Sequence, residues 1–311
     1  MNRGNLKNAV KIYAHEAKSI VLRNDYVGIF DMGVKSQRNK VNLFRYHPQA
    51  LAGYSSHLYN NSPYNLGDYL GEVIVKYLAD RKGIDQNKDV LKTSHLFCVG
   101  SNIVGGERYG SYDDATIWGS GILFKMGRMR SLLQKVVNRK LDVRAVRGPL
   151  TREELIRLGY KCPEIYGDPA ILMPMLYTPT KSKNRKYSVV LQFYHERAFR
   201  EEHPDEPVIS MNTDDYKSVI DEIVSSEIIY TSSLHGIILA EAYGVPAVFF
   251  RSLKKALDFK YKDWYCSTGR YDVPMADTFE EALKQTPPPL PDLREMQQGL
   301  LDTFPYDLWE S

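Results

Sequence analysis

The stretch Val146-Arg147-Gly148-Pro149-Leu150-Thr151-Arg152, followed by Tyr166-Gly167-Asp168-Pro169-Ala170, decides the fold class. Val143-Arg144-Ala145-Val146 reads as a short strand, and Arg147 stands where it ends. Gly148 breaks the strand, and Pro149 suits the first turn of a helix. Thr151 with Glu154 three residues on has the pattern of a capping box, and the helix runs through Leu155, Ile156 and Leu158 to a stop at Gly159. A second junction of the same kind lies downstream. Ile228-Ile229-Tyr230 reads as a buried strand, Thr231-Ser232-Ser233 as a polar turn, and a helix from about His235 to Gly244 precedes the strand Val245 to Phe250. Strands alternating with helices imply parallel α/β sheets. Such sheets bind ligands at the carboxyl ends of their strands, the edge where Arg147 and His235 both fall.

The two residues suit different chemistry. Arg147 would lie beside a helix N-terminus, where backbone amides favour an anion; the plainer alternative is an ion pair with a surface carboxylate. The neutral form of His235 is favoured at a helix N-terminus, and a neutral imidazole can act as a base near neutral pH. A structural histidine bonded to a neighbouring loop is the alternative there.

Upstream, residues 1–23 show helical spacing of Val10, Tyr13, Ala17 and Val21, residues 26–30 and 41–46 read as strands, and 47–66 as a long polar loop. Asp68 opens a helix through Leu70, Val73, Ile74 and Tyr77, where an acidic residue stabilises the helix start by about 1 kcal/mol. Two further strands end in Gly100-Ser101-Asn102 and Gly119-Ser120-Gly121, so bare amides there offer a cradle for an anion. No Gly-Lys-Ser/Thr follows, so neither is a nucleotide P-loop. Asp168 before Pro169 reads foremost as a turn former. The polar run Thr178 to Lys186 reads as a linker, and a new strand starts at Tyr187. The expected domains are residues 1–178, residues 187–285, and a tail of 286–311 whose last helix, 292–301, packs back on the first half. Trp264 is either an acceptor platform or local core.

Five pieces occur in a fixed order: Asn65-Leu66-Gly67-Asp68, Ile117-Trp118-Gly119-Ser120-Gly121, Val146-Arg147-Gly148-Pro149, Tyr166-Gly167-Asp168-Pro169-Ala170 and Ser233-Leu234-His235-Gly236. Together they resemble the polysaccharide pyruvyl transferase family. The resemblance implies two Rossmann-like domains in a GT-B-like arrangement with the site in the cleft between them. It implies a transferase that moves the pyruvyl group of phosphoenolpyruvate onto two hydroxyls of a sugar in a surface polysaccharide, an exopolysaccharide or its precursor, forming a cyclic ketal and releasing phosphate. By the same likeness Arg147 and His235 are the catalytic or donor-contacting pair, and Asn65, Gly67 and Asp68 shape the substrate crevice; Gly100, Ser101, Asn102, Gly119 and Ser120 at their strand ends, with Ser233, Leu234 and Arg251, are the further substrate-binding candidates. Many members carry arginine where this chain has Ser233, so the anion contact it makes there is either missing here or supplied by another basic residue such as Arg251 or Lys254. Two other readings stand beside this one: a GT-B-type glycosyltransferase using a nucleotide sugar, and a non-catalytic glycan-binding relative.

With 311 residues, 43% of them hydrophobic, the chain can bury one large or two medium cores. A net charge of +3 argues against a strongly electrostatic nucleic-acid binder while leaving room for a local basic crevice. Three cysteines, Cys98, Cys162 and Cys266, are far apart and fit neither a disulfide framework nor a zinc site, so the reducing cytoplasm is the expected setting. No signal-peptide core or membrane-spanning run is read, and membrane contact would be peripheral, at the inner face. No cofactor or metal is expected, because no carboxylate or histidine cluster has ligand spacing; phosphoenolpyruvate is the donor substrate. The acceptor sugar, its hydroxyl pair, its attachment to a lipid and the oligomeric state stay open.

Overall fold

The computed structural model describes residues 29–30, 34–35, 38–44, 65–103, 115–123, 140–180, 182–192, 195–251 and 258–310. The helix expected over residues 1–23, the loop 47–64, Lys254 and the segment with Arg128 and Arg130 lie outside the described residues. Two short strands, β1 (Ile29–Phe30) and β2 (Val34–Lys35), pair antiparallel. Everything that positions the site rests on two parallel sheets.

The first sheet has four strands in the order β3 (Val41–Phe44), β4 (Ser94–Phe97), β5 (Ala115–Trp118) and β6 (Leu141–Ala145). Each new strand adds to the same side, and all pair parallel. Val146 bridges Tyr166 beyond β6, so the Tyr-Gly-Asp-Pro segment reaches the sheet's edge. Helix α1 (Leu66–Arg81) covers this sheet with Leu66, Leu70, Ile74, Val75 and Leu78 buried. It starts two residues before the expected Asp68, which then lies in the first turn, where a carboxylate suits the helix dipole.

Helix α2 (Pro149–Arg157) follows β6. The expected capping box does not form. Gly148 is the N-cap, and the free amide of Thr151 donates instead to Asp263, far along the chain, at 2.9 Å. The helix does end as read, with Gly159 at φ +94° just past it. A 3-10 turn (Pro169–Leu172) runs into the short helix α3 (Met173–Leu176). The connection onward is pinned by Asp221, which accepts from Tyr177 Oη at 2.9 Å, Thr180 N at 3.0 Å and Thr180 Oγ1 at 2.8 Å.

The second sheet has the order β10-β9-β7-β8, from β7 (Arg185–Val190), β8 (Val208–Ile209), β9 (Ser226–Thr231) and β10 (Ala247–Phe249). Strand β7 begins two residues earlier than the sequence suggested. All pairings are parallel. The chain leaves β7 toward β8 on one side and returns as β9 on the other, so the order reverses between β7 and β9. Such a switch point opens a crevice beyond the strand ends. Helices α4 (Glu196–Glu202), α5 (Tyr216–Val224) and α6 (Leu234–Ala242) link these strands. Helix α6 is apolar on every side, with Leu234, Ile237, Ile238, Leu239 and Ala240 all buried, as expected of a helix enclosed within the protein.

After β10 come α7 (Asp258–Ser267), α8 (Phe279–Ala282), α9 (Arg294–Asp302) and α10 (Asp307–Glu310). The last helices close on the first sheet. Trp118 Nε1 donates to the Leu300 carbonyl at 2.9 Å, its ring meets Phe304 edge-on at 4.9 Å, and Arg144 bonds Asp307 at 2.8 and 3.3 Å. One hydrophobic cluster takes in Leu70 of α1, Trp118 of β5, Val190 of β7, Ile237 of α6, Trp264 of α7 and Leu300 of α9. At about 1.5–3 kcal/mol for each fully buried large side chain, this shared core ties both sheets together. No helix among the described residues is long and apolar enough to cross a membrane.

Candidate functional site

The carboxyl ends of both sheets meet at the N-terminus of α1. Leu66 N donates to Met211 O, beyond β8, at 2.9 Å, which fixes that helix start against the second sheet. At the switch point the turn after β9 is braced by its neighbours: Ser232 N donates to Val190 O at 3.0 Å, and Gln192 N donates to Ser232 Oγ at 3.2 Å. Ser233 then caps α6, its hydroxyl accepting from Gly236 N at 3.4 Å, while its own amide donates to Thr231 Oγ1 at 2.9 Å. The serine at this position thus does the work of an N-cap. Leu234 packs into the core.

His235, in the first turn of α6, projects toward the first sheet and is only 9% exposed. Gly67 of α1 lies directly against its ring. A Cβ at 67 would come 2.6 Å from Cγ and 2.7 Å from Cε1, and nearer still to Nδ1. Glycine is therefore required there by close approach. On the other side, Nε2 stands 3.6 Å from Oδ2 of Asp168, and it has no hydrogen-bond partner among the described residues. Asp168 is fully buried. Its Oδ1 accepts from Ala170 N at 3.1 Å, which caps the 3-10 turn, and its Oδ2 accepts from Gly100 N at 3.5 Å. The turn-forming role read from the sequence is real, yet the same carboxylate also faces the imidazole.

Asp68 completes the acidic side. Its Oδ2 accepts from Asn65 Nδ2 at 2.7 Å. Its Oδ1 lies against Gly100, where a Cβ would be 2.5 Å away and φ is +98°, so that position too needs glycine. Burial pushes the Asp68 carboxyl up to about 6, and Asp168 adds to the rise; His235, Lys260 and the Asn65 hydrogen bond pull the other way. A carboxyl tuned to this range can donate or accept a proton near neutral pH.

Arg147 lies beside these groups but is itself fully buried. Its Nε donates to Asp263 Oδ2 at 3.1 Å, Nη1 to Ser101 Oγ at 2.6 Å and Nη2 to the Ile122 carbonyl at 2.6 Å. Asp263 also accepts from Thr151 N and Thr151 Oγ1, the latter at 2.6 Å. The guanidinium is therefore a structural tie between the end of β6 and α7, in addition to any contact it makes with a ligand. Lys260, one turn before Asp263, belongs to the same neighbourhood. Burial lowers its amine to about 7, Arg147 repels its charge and Asp68 attracts it.

The remaining expected residues are placed as follows. Gly100, Ser101, Asn102, Gly119 and Ser120 do line the ends of β4 and β5, but the amides expected to be bare are largely committed. Asn102 N donates to Ser120 Oγ at 3.3 Å, Gly119 N to Ala145 O at 2.8 Å and Gly121 N to Gly100 O at 2.9 Å. Arg251 is bound by Asp258 at 3.0 and 2.8 Å and by Asp277 at 2.5 Å, so its fork is taken up by the second half. Trp264 is fully buried, with Nε1 donating to Glu241 Oε2 at 2.9 Å, which makes it core and no platform. Sequence reasoning gave no site role to Asp263 or Lys260. Both lie in a segment whose sequence shows no sign of which neighbours it packs against.

Acids, an imidazole and two cations gather at the carboxyl edges of two parallel sheets, the place where α/β proteins bind ligands. The family model for polysaccharide pyruvyl transferase matches residues 65–252, more than half of the chain, and the protein belongs to that family. Membership points to a transferase with a saccharide acceptor. A comparison with curated proteins gives no match.

Proposed function

We propose that the protein transfers the pyruvyl group of phosphoenolpyruvate to two hydroxyls of a saccharide, in a GT-B-like cleft, forming a cyclic ketal and releasing phosphate. The observation that carries this reading is the convergence of Asp68, Asp168 and His235 from three separate motifs onto one buried cluster. The reaction needs a proton on the methylene carbon, which becomes the methyl group. Positive charge then develops on the central carbon and a sugar hydroxyl adds there, losing its proton. The bond from that carbon to the phosphate oxygen breaks, the second hydroxyl closes the ring, and its proton leaves with phosphate. Two hydroxyl protons are thus consumed, one into the methyl group and one with phosphate.

Asp68 is suited to supply the first proton. A donor carrying about three negative charges raises a neighbouring carboxyl further, so binding favours the protonated acid. His235 takes the hydroxyl proton, and the Asp168 carboxylate facing its Nε2 at 3.6 Å stabilises the imidazolium that forms. Arg147 contributes positive charge from below the site and fixes the loop that carries Ser101.

Thermal denaturation with phosphoenolpyruvate, beside UDP and GDP, tests the reading. A ligand at a hundred times its dissociation constant stabilises the native state by about 2.7 kcal/mol. Stabilisation by phosphoenolpyruvate alone is expected. Stabilisation by a nucleotide alone would replace this reading with a nucleotide-sugar glycosyltransferase.

A further inference from the structure

The cations of the described site are not equivalent. Arg147 is sealed in the interior by Asp263, Ser101 and Ile122. Arg251 is held by Asp258 and Asp277. Position 233 is a capping serine. Lys260 differs from all of these. Its ammonium has no ion pair within 4 Å among the described residues, and it lies over the face of Tyr261, 4.8 Å from Nζ to the ring centroid.

Its helix explains how it comes to be there. α7 lies beyond residues 65–252, the part matched to the family. It packs against α2 of the first half. Phe259 joins the apolar cluster of β4, β5 and β6, and Asp263 reaches Arg147 and caps α2. Tyr261, Trp264 and Tyr265 face the shared core instead, and Tyr261 Oη donates to the Ser232 carbonyl at 2.7 Å, at the turn that leads to His235. The helix is thus wedged between the two strand-end edges. Residues three apart share a helix face, so Lys260 lies on the face of Asp263, among Asp68 and Arg147. A part-buried amine with no counter-ion is costly unless something pairs with it. A bound anion would do so.

We propose that Lys260 is the cation that directly receives the anionic donor in this site, reaching it from α7. The proposal rests on the phosphoenolpyruvate reading above. In the free protein Lys260 is attracted by Asp68 and repelled by Arg147. Donor binding supplies the missing counter-charge, and Asp68, protonated as the donor arrives, ceases to compete for it.

Calorimetric titration of phosphoenolpyruvate into the full-length wild type, Lys260→Met and Lys260→Arg tests this. Loss of one charge-assisted contact corresponds to about 10- to 100-fold in affinity. Lys260→Met is expected to bind phosphoenolpyruvate at least about 10-fold more weakly. It should melt no lower than wild type, because it removes an unpaired part-buried charge. Lys260→Arg should recover most of the affinity, which a packing role would not produce. Equal binding by wild type and Lys260→Met overturns the Lys260 proposal and leaves the donor reading standing. Absence of phosphoenolpyruvate binding by wild type itself overturns both.

Discussion

Gly67 and His235 touch across the two halves of the protein: a Cβ at position 67 would fall within 3 Å of three atoms of the imidazole ring. A glycine at the start of one helix thereby sets the position of a histidine at the start of another. Gly67→Ala should displace the ring from Asp168 and lower turnover by about 10²-fold or more, the range over which a misplaced acid–base group costs. Phosphate release from phosphoenolpyruvate with a saccharide acceptor reads this directly, and wild-type turnover in a folded Gly67→Ala protein would refute the placement.

Asp168→Asn separates the two duties of that residue. An asparagine oxygen can still accept from Ala170 N, so the cap survives at a cost of a few tenths of a kcal/mol to about 1 kcal/mol. The negative charge facing His235 is lost. Melting temperature should change little while turnover falls by about 10²-fold or more. Parallel losses in both would mean that Asp168 is only a cap.

The raised carboxyl of Asp68 has a consequence for stability with a definite sign. The folded state holds the proton up to about pH 6, the unfolded state only to 3.8. The folded state therefore binds more protons in that window, and stability falls as pH rises from about 4 to about 6, by on the order of 3 kcal/mol. Asp68→Asn removes this loss. The variant should gain on wild type across that window, and thermal melts at pH 4, 5, 6 and 7 check it. A difference between the two that does not vary with pH would contradict the assignment. The same variant should lose turnover, since an amide cannot supply the proton.

Asp263 predicts a structural outcome. Asp263→Ala leaves the Arg147 guanidinium buried without its counter-ion and uncaps Thr151 N. Removing one partner of a buried ion pair costs about 3–5 kcal/mol. Chemical denaturation of Asp263→Ala measures this. A change below about 1 kcal/mol, the usual value of a surface pair, would show that the pair is not sealed.

Much of this arrangement is legible in the sequence, for physical reasons that differ by residue. The strands ending before Gly100, Gly119, Arg147 and Ser233 announce themselves by apolar runs broken by glycine or small polar residues, and the helix after Ser233 by its apolar length. Boundaries slip where a distant residue supplies the cap: α2 starts at Pro149 because Asp263, a hundred residues away, satisfies Thr151 N, and no local pattern records that. Arg147 reads as a crevice residue because it ends a strand, and the sequence gives no sign that an acid from α7 and a backbone carbonyl would enclose it. Lys260 is hidden for the converse reason. In Phe259-Lys260-Tyr261-Lys262-Asp263 it looks like one of two solvated lysines, and only the wedging of α7 separates it from the exposed Lys262.

The central claim is that the buried cluster of Asp68, Asp168 and His235 turns phosphoenolpyruvate into a sugar ketal. The most direct measurement incubates saccharide acceptors with phosphoenolpyruvate and either wild type or His235→Ala, then follows phosphate release and the mass of the saccharide together. The account predicts one phosphate released for each pyruvylated saccharide with wild type, and a loss of both by about 10²-fold or more with a folded His235→Ala protein. Equal product from the two proteins would contradict it.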